Sequence, residues 1–462
     1  MTKPVLRIAL VTCATALLGA CYSRTGNETT ESTETAAAAP VIPLPADCDT
    51  STTPFCNSTV PLPPDWRGNV FRLAQNYPQT PAGNSTPWLR YDPRTQPDQY
   101  IRAVLAYFYE GNVRPSVEAS FDPARNRVRG WYNAPWQDQG FNGREPIHGL
   151  TRERVTPAGE LHRCQTLPWN NYAVGFYNGP GGYAIGQIWA DHGQPDPAKA
   201  VMPEGTVGAK LLFTTAPVSQ APYLAGAPTW SAMVYDPNYN PPPGSPRSDP
   251  PPQRSLRQLR LLQIDIAVKD NRVPTGWVFG TFVYGGGPQD PPDAPCPPAS
   301  DTPDPVGRNW NGVQPIGLMW GNALDETWLN PAVHMPHVGY QNRLNGPVDN
   351  PLSSCMSCHS TAQWPSVASM IPPAIPPATA EQVAFWFRNI PSGTPFGYPP
   401  GSPPPSGAPP RSLDYSLQVQ VGFRNFTTRN AAANPSLPAA TRAALTAELR
   451  DTATPRNGAT TD

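Results

Sequence analysis

The stretch Leu262-Gln263-Ile264-Asp265-Ile266-Ala267-Val268 decides the fold class of this chain. Its large aliphatic residues stand at every second position, with a glutamine, an aspartate and an alanine between them. Because successive side chains of a β-strand point to opposite faces, this alternation predicts a strand with one buried and one exposed face.

Similar short patterns recur between glycines and prolines, which favours an antiparallel sheet. We predict further strands at residues 172–177, 185–189, 209–214, 230–235 and 276–284. One helix is predicted from about Pro97 to Glu110, and a second after Thr379, with Val383, Trp386, Phe387 and Ile390 on one face. The predicted fold class is α+β, mainly β, with long proline-rich surface loops at 239–252, 288–305, 372–377 and 395–411.

The composition excludes several classes of protein. Proline supplies 65 of the 462 residues, and because proline breaks helix interiors, a mostly helical fold is excluded. Hydrophobic residues make up 39 %, which is enough for a core and argues against full disorder. The 33 basic and 34 acidic residues nearly cancel, so no nucleic-acid partner is expected.

The first residues have the pattern of an export signal. Lys3 and Arg7 precede an apolar run at 8–20, which is too short to span a bilayer. The run ends in Leu17-Leu18-Gly19-Ala20-Cys21, which resembles the lipobox of bacterial lipoproteins. That resemblance implies cleavage before Cys21 and a lipid anchor on its thiol; an ordinary signal peptide is the alternative.

The resulting domain plan has four parts. Residues 1–20 are a signal peptide and 21–64 an extended tether rich in Thr, Ser, Ala and Pro. Residues 65–430 form the globular domain, with a subdomain boundary near 165, and 431–462 form a helix and polar tail. The expected location is the periplasmic side of the cell envelope, and Tyr22 after the lipidated cysteine favours the outer membrane in a Gram-negative cell.

Four cysteines lie outside the signal region and the motif described next. An even number in an oxidising compartment suggests two disulfides, with three possible pairings. We predict Cys48–Cys56, which closes a short loop near the tether, and Cys164–Cys296, which ties a proline-rich loop to the body.

The chemistry is indicated by Asn350-Pro351-Leu352-Ser353-Ser354-Cys355-Met356-Ser357-Cys358-His359. Its Cys-x-x-Cys-His end is the pattern of covalent c-type haem attachment. On a helix capped by Asn350, with Pro351 in its first position, the two thiols and the imidazole fall within about one turn. Cys355 and Cys358 would bind one haem, and His359 would be the proximal iron ligand. A disulfide is the alternative; a zinc site needs four ligands, and there is no second Cys-x-x-Cys.

The remaining haem contacts are open at this point. The sixth iron position is either open or filled by one of several side chains: Met370, Met319, Met335, His334 or His337. Arg343 is a candidate partner for a haem propionate, with a solvated surface charge as the alternative. Trp310, Trp320 and Trp328 are expected to line the haem cavity.

The segment Pro203-Glu204-Gly205-Thr206-Val207-Gly208-Ala209-Lys210, a Trp-bearing strand at 276–284 and the late haem motif together resemble the cytochrome P460 and cytochrome c′-beta group. The resemblance covers residues 203–359 and implies an antiparallel-sheet haem protein. In that group a lysine can be cross-linked to the haem. Lys210 is the position to compare, and an ordinary strand-end lysine is the alternative.

Two classes of function follow from a single covalent haem. The first is a membrane-anchored electron-transfer cytochrome that serves redox partner proteins. The second is a haem protein with open iron: an enzyme that oxidises a small nitrogen compound, a peroxidase, or a gas-binding module. The sequence leaves open whether the chain is an enzyme.

Overall fold

The computed structural model describes most of the chain after residue 73. The described residues are 74–81, 83, 85–113, 121, 126–137, 150–235, 254–285, 291, 293–298, 304–333, 338–367, 369–372, 379–399 and 409–451. The signal region, the tether, Cys21 and the Cys48–Cys56 pair lie outside them.

An eight-stranded antiparallel sheet forms the centre of the fold. Its strands are β1 (Thr151–Arg152), β2 (Asn171–Tyr177), β3 (Val207–Thr214), β4 (Thr229–Tyr235), β5 (Arg254–Lys269), β6 (Trp277–Tyr284), β7 (Val313–Met319) and β8 (Thr327–Leu329). They are ordered β1-β2-β3-β5-β6-β7-β8, and β4 pairs with the first half of the long β5. The predicted fold class, α+β and mainly β, is confirmed.

The described part of the chain contains six α-helices around this sheet. They are α1 (Pro97–Tyr109), α2 (Gly179–Ile188), α3 (Cys355–His359), α4 (Ala380–Trp386), α5 (Leu417–Ala433) and α6 (Ala439–Asp451). A small antiparallel pair, β9 (Gln363–Trp364) and β10 (Arg411–Ser412), joins the chain after α3 to the chain before α5. None of the described helices is long and apolar enough to cross a membrane.

Both faces of the sheet are covered, which corrects the expectation of an exposed face on β5. The aliphatic positions of β5, such as Ile264 and Ile266, pack into a core with Ile101, Val104 and Phe108 of α1. The opposite face lies under a second core, built from α2, α3, α5 and the aromatic residues of β6. On that face of β5, Gln263 and Lys269 are buried, and Asp265 and Ala267 are half-buried.

The two predicted helices are present, but two local predictions need correction and one helix was missed. Residues 185–189 are not a strand, because 185–188 form the end of helix α2. The helix begins after its N-cap Asn178, whose side chain accepts from the Gly181 N–H. Helix α4 ends at Trp386, so Phe387 and Ile390 lie beyond it, although both join the same small hydrophobic cluster. Helix α5 was not predicted.

One of the two predicted disulfides lies among the described residues and is confirmed. Cys164 and Cys296 are bonded, with their Cα atoms 5.4 Å apart. Cys164 is buried and Cys296 is exposed, so the bond ties a surface loop to the body of the domain.

Candidate functional site

The cysteine motif forms a short helix whose beginning differs from the prediction. Helix α3 starts at Cys355, and Ser354, not Asn350, is its N-cap. The Ser354 hydroxyl accepts from the Ser357 N–H at 3.0 Å, and the Ser357 hydroxyl accepts from the Ser354 N–H at 2.8 Å. This reciprocal capping box satisfies donors that the helix itself leaves unpaired. Asn350 serves the preceding turn instead, where its side chain accepts from the Leu352 N–H.

The two motif cysteines are not joined in a disulfide. Cys358 is buried and Cys355 is half-buried. The Cys355 thiol lies 3.8 Å from Asn345 Oδ1 and 3.7 Å from Thr281 Oγ1 on β6. Burial, reinforced by the charge of Asp265, raises the pKa of the Cys355 thiol well above its ordinary value. Both cysteines line one cavity.

His359 is held in one orientation by the chain that precedes α5. Its Nδ1 lies 2.9 Å from the Tyr415 carbonyl oxygen and, with the proton on that nitrogen, donates to it. Its ring contacts the ring of Phe279, with the centroids 4.8 Å apart. Burial lowers the pKa of His359 to about 4, so the imidazole is neutral near pH 7. This tautomer leaves the Nε2 lone pair available to a metal ion.

A large cavity opens between the sheet and the segments that carry these residues. Counted together with the space at its open mouth, it holds about 1230 Å³. Its apolar wall is partly aromatic and includes Phe176, Trp277, Phe279, Tyr415 and Leu417. Cys355, Cys358 and His359 all line it. A pocket with mostly apolar walls and a few polar groups is typical of a ligand or cofactor site.

One row of side chains across the sheet gives the cavity a polar floor. The strand register places Lys210 of β3 opposite Asp265 of β5, and Asp265 opposite Thr281 of β6. Lys210 Nζ lies 3.5 Å from Asp265 Oδ2, and Thr281 Oγ1 donates to Asp265 Oδ1 at 2.9 Å. Gln263 Nε2 bridges Asp265 to Asp349, at 2.7 Å and 3.2 Å.

The protonation of Asp265 is set by competing effects in this row. Burial raises the pKa of Asp265 to about 6, and the charge of Asp349 acts in the same direction. The Lys210 ammonium and the hydrogen bonds from Gln263 and Thr281 oppose that rise. The cavity therefore contains a carboxyl that titrates near pH 6.

Several residues predicted for the site lie elsewhere. Arg343 is buried behind the motif, where its Nε donates to the Asn322 carbonyl at 2.6 Å and its guanidinium lies over the Phe387 ring. It does not line the cavity, and neither do Met319, Met370 and the three predicted tryptophans, Trp310, Trp320 and Trp328. Trp310 and Trp320 belong to the core on the other face of the sheet, and Trp328 packs against it. His334, Met335 and His337 lie outside the described residues.

Other residues at the cavity were missed by the sequence analysis. Tyr415 and Gln418 come from the unpredicted segment before and in α5, more than 50 positions after the motif. Among the described residues, two cations line the cavity: Arg152 of β1 and Lys210 of β3. The sequence analysis placed Asp265 on the exposed face of its strand, and nothing in the sequence distinguishes it from the other polar residues of β5, such as Gln263.

Comparisons of this chain with protein-family models, with curated proteins and with solved structures return no match.

Proposed function

We propose that this chain is a c-type cytochrome that carries one haem, covalently bound through Cys355 and Cys358, with His359 as the proximal iron ligand. When bound, the haem iron supplies one-electron chemistry by cycling between ferric and ferrous states. The observation that carries the proposal is that both thiols and the imidazole line one aromatic-walled cavity, with His359 Nδ1 already bonded to the Tyr415 carbonyl.

The residues of the cavity fit such a group in three ways. The low pKa of His359 keeps its imidazole neutral, which is the form that binds iron. Trp277, Phe279 and Tyr415 offer flat apolar surfaces for a macrocycle. Arg152 and Lys210 offer positive charge for its acidic side chains, a role that Arg343 does not fill from its buried position.

In this function the protein would set the potential of the iron. The buried wall of β5 and β6 lowers the local dielectric, and the Tyr415 carbonyl orients the proximal imidazole. We also propose that a lipid on Cys21 and the tether at 21–64 hold the domain at a membrane, where redox partner proteins deliver and remove electrons.

A second candidate function is supported by the Lys210–Asp265 pair. A haem enzyme that acts on a small molecule needs groups that donate and accept protons inside the cavity. Asp265, with a pKa near 6 and a hydrogen-bond bridge to Asp349, is a group of that kind. The resemblance to the cytochrome P460 group, in which oxidation of a small nitrogen compound occurs at open iron, points in the same direction.

One preparation tests the haem and separates the two functions. The chain is expressed in a host that attaches haem c, and its intact mass and absorption spectrum are recorded. The proposal expects one covalent haem, which is lost in Cys355→Ala/Cys358→Ala and kept in the matched pair Cys164→Ser/Cys296→Ser. A colourless wild-type protein with the mass of the bare chain overturns it.

The iron coordination is read from the same samples. His359→Ala should keep the covalent haem but change its spectrum, and an unchanged spectrum would refute the proximal role of His359. A reduced spectrum that is unaffected by carbon monoxide supports the electron carrier. A spectrum that shifts with carbon monoxide supports the enzyme or another protein with open iron.

A further inference from the structure

Two consecutive residues next to the motif adopt a backbone conformation that is unusual for them. Asp414 has φ +48° and Tyr415 has φ +66°, in the left-handed region. Residues other than glycine rarely adopt this region, so the surrounding structure must hold Asp414 and Tyr415 in it. Such backbone strain tends to occur at functional sites, and here it lies directly beside His359.

The carboxylate of Asp414 is the group that holds this turn. It is buried, with a relative side-chain exposure of 1 %. It accepts hydrogen bonds from Trp277 Nε1 at 2.9 Å, from Ser392 Oγ at 2.6 Å and from the Met202 N–H at 2.8 Å. The buried ammonium of Lys269 lies 3.3 Å away and also donates to Ser392. Four different parts of the chain therefore converge on one side chain.

The turn is also tied directly to the motif. The chain before it pairs with the chain after α3 through β9 and β10, and the Leu413 N–H donates to the Ala362 carbonyl at 2.9 Å. The Tyr415 hydroxyl donates to the Ile390 carbonyl. Because Leu413 and the Tyr415 side chain are both held by hydrogen bonds, the Tyr415 carbonyl has little freedom to move away from His359 Nδ1.

From this geometry we infer that Asp414 is a positioning residue, which sets the reduction potential through the hydrogen bond between the Tyr415 carbonyl and His359. The inference rests on the proposed function, because it requires iron on His359. The inference assigns Lys269 and Ser392 the same role. Lys269 pairs with the Asp414 carboxylate and Ser392 donates to it, and neither is hydrogen-bonded to His359.

The expected direction follows from the chemistry of the imidazole. A firm hydrogen bond from Nδ1–H to a carbonyl makes the ring a stronger electron donor at Nε2. A stronger donor favours the ferric state and lowers the potential. A loosened turn weakens that bond, so every change that releases Asp414 should raise the potential.

Three variants of the haem-loaded protein test the inference, and two of them separate positioning from simple charge. Asp414→Asn should raise the potential, but removal of a negative charge predicts the same. Lys269→Gln removes a positive charge, so charge alone predicts a fall, whereas positioning predicts a rise. Ser392→Ala changes no charge, so charge alone predicts no shift, whereas positioning again predicts a rise. Asp98→Asn is the matched control, because Asp98 lies on α1, on the other side of the sheet, where its carboxylate pairs with Arg102.

Potentiometric titration with optical detection measures the result. We expect Lys269→Gln to change the ratio of reduced to oxidised protein about tenfold at a fixed applied potential, a rise of about 59 mV for a one-electron couple. Ser392→Ala should give a smaller rise, and Asp98→Asn none. If Lys269→Gln does not fold, the potential of Ser392→Ala alone distinguishes positioning from charge. A fall in Lys269→Gln, or an unshifted Ser392→Ala, overturns the inference while the proposed function stands; a wild type without covalent haem overturns the proposed function instead.

Discussion

The Cys164–Cys296 disulfide should account for a large share of the stability of this domain. The bond joins residues 132 positions apart, and β2 to β6 all lie between them. In the unfolded chain it therefore restrains the whole central part of the sheet. The chain-entropy relation for a loop of that length gives about 5 kcal/mol at 25 °C. Loss of a native disulfide from a secreted domain typically costs about 2–5 kcal/mol.

We therefore expect Cys164→Ser/Cys296→Ser to lower the free energy of unfolding by about 3–5 kcal/mol. The assay is denaturant unfolding followed by tryptophan fluorescence, with and without a reductant. The reductant should bring the wild type to the midpoint of the double variant and leave the double variant unchanged. A loss below about 1 kcal/mol would refute the reasoning, because the loop would then restrain little of the unfolded chain.

Three further predictions concern the site. If the chain carries the proposed haem, its reduction potential should fall as the pH rises through about 6, because the carboxyl of Asp265 is neutral below that value and negatively charged above it, which favours the ferric state. Potentiometry on Asp265→Asn should show a flat profile there. Ser354→Ala should lower stability by about 0.5–2 kcal/mol in denaturant unfolding, and Asn350→Ala by less, because Ser354 caps the motif helix. Gly280→Ala should cost about 1–3 kcal/mol in the same assay, because the new methyl would lie 2.8 Å from Ile101 Cδ1.

Two of these variants have matched controls in the chain. Glu160→Gln removes a carboxylate that is paired with Arg154 and does not line the cavity, so it should leave the pH profile of the potential intact. Gly83→Ala adds a methyl with no atom within 4 Å and should leave stability nearly unchanged. A flat pH profile in Glu160→Gln, or an equal loss of stability in Gly83→Ala, would contradict the stated causes.

Strand β5 shows what local patterns can and cannot predict. Alternation gave the strand correctly, since it depends only on the two-residue period of the backbone. The same alternation predicted that the second face is exposed to solvent. That face is covered instead by residues far along the chain, in α3 and α5. Asp265 thus changes from a solvated residue into part of the cavity floor.

Helix α2 was missed because its glycines lower its intrinsic helix propensity. The structure gives a reason for two of them. A Cβ on Gly182 would lie 2.4 Å from the Tyr132 ring, and one on Gly186 would lie 2.7 Å from Tyr77 Cβ. Close packing against two tyrosines thus overrides propensity, and a single sequence does not reveal that packing.

The candidate site was predictable only in its local part. Cys355, Cys358 and His359 lie within five residues, so spacing alone brings them together. Tyr415, which orients His359, lies 56 positions away and contributes a backbone carbonyl. Because every residue type carries a carbonyl, no side-chain pattern marks that partner.

The long separation between His359 and its carbonyl partner has a consequence for biosynthesis. A polypeptide is made and exported amino terminus first, so residues 355–359 are available to fold before Tyr415 is. During that interval the segment that carries Tyr415 and α5 has not yet closed over the two thiols. The order of the elements along the chain thus leaves both cysteines accessible until the last segment folds over them.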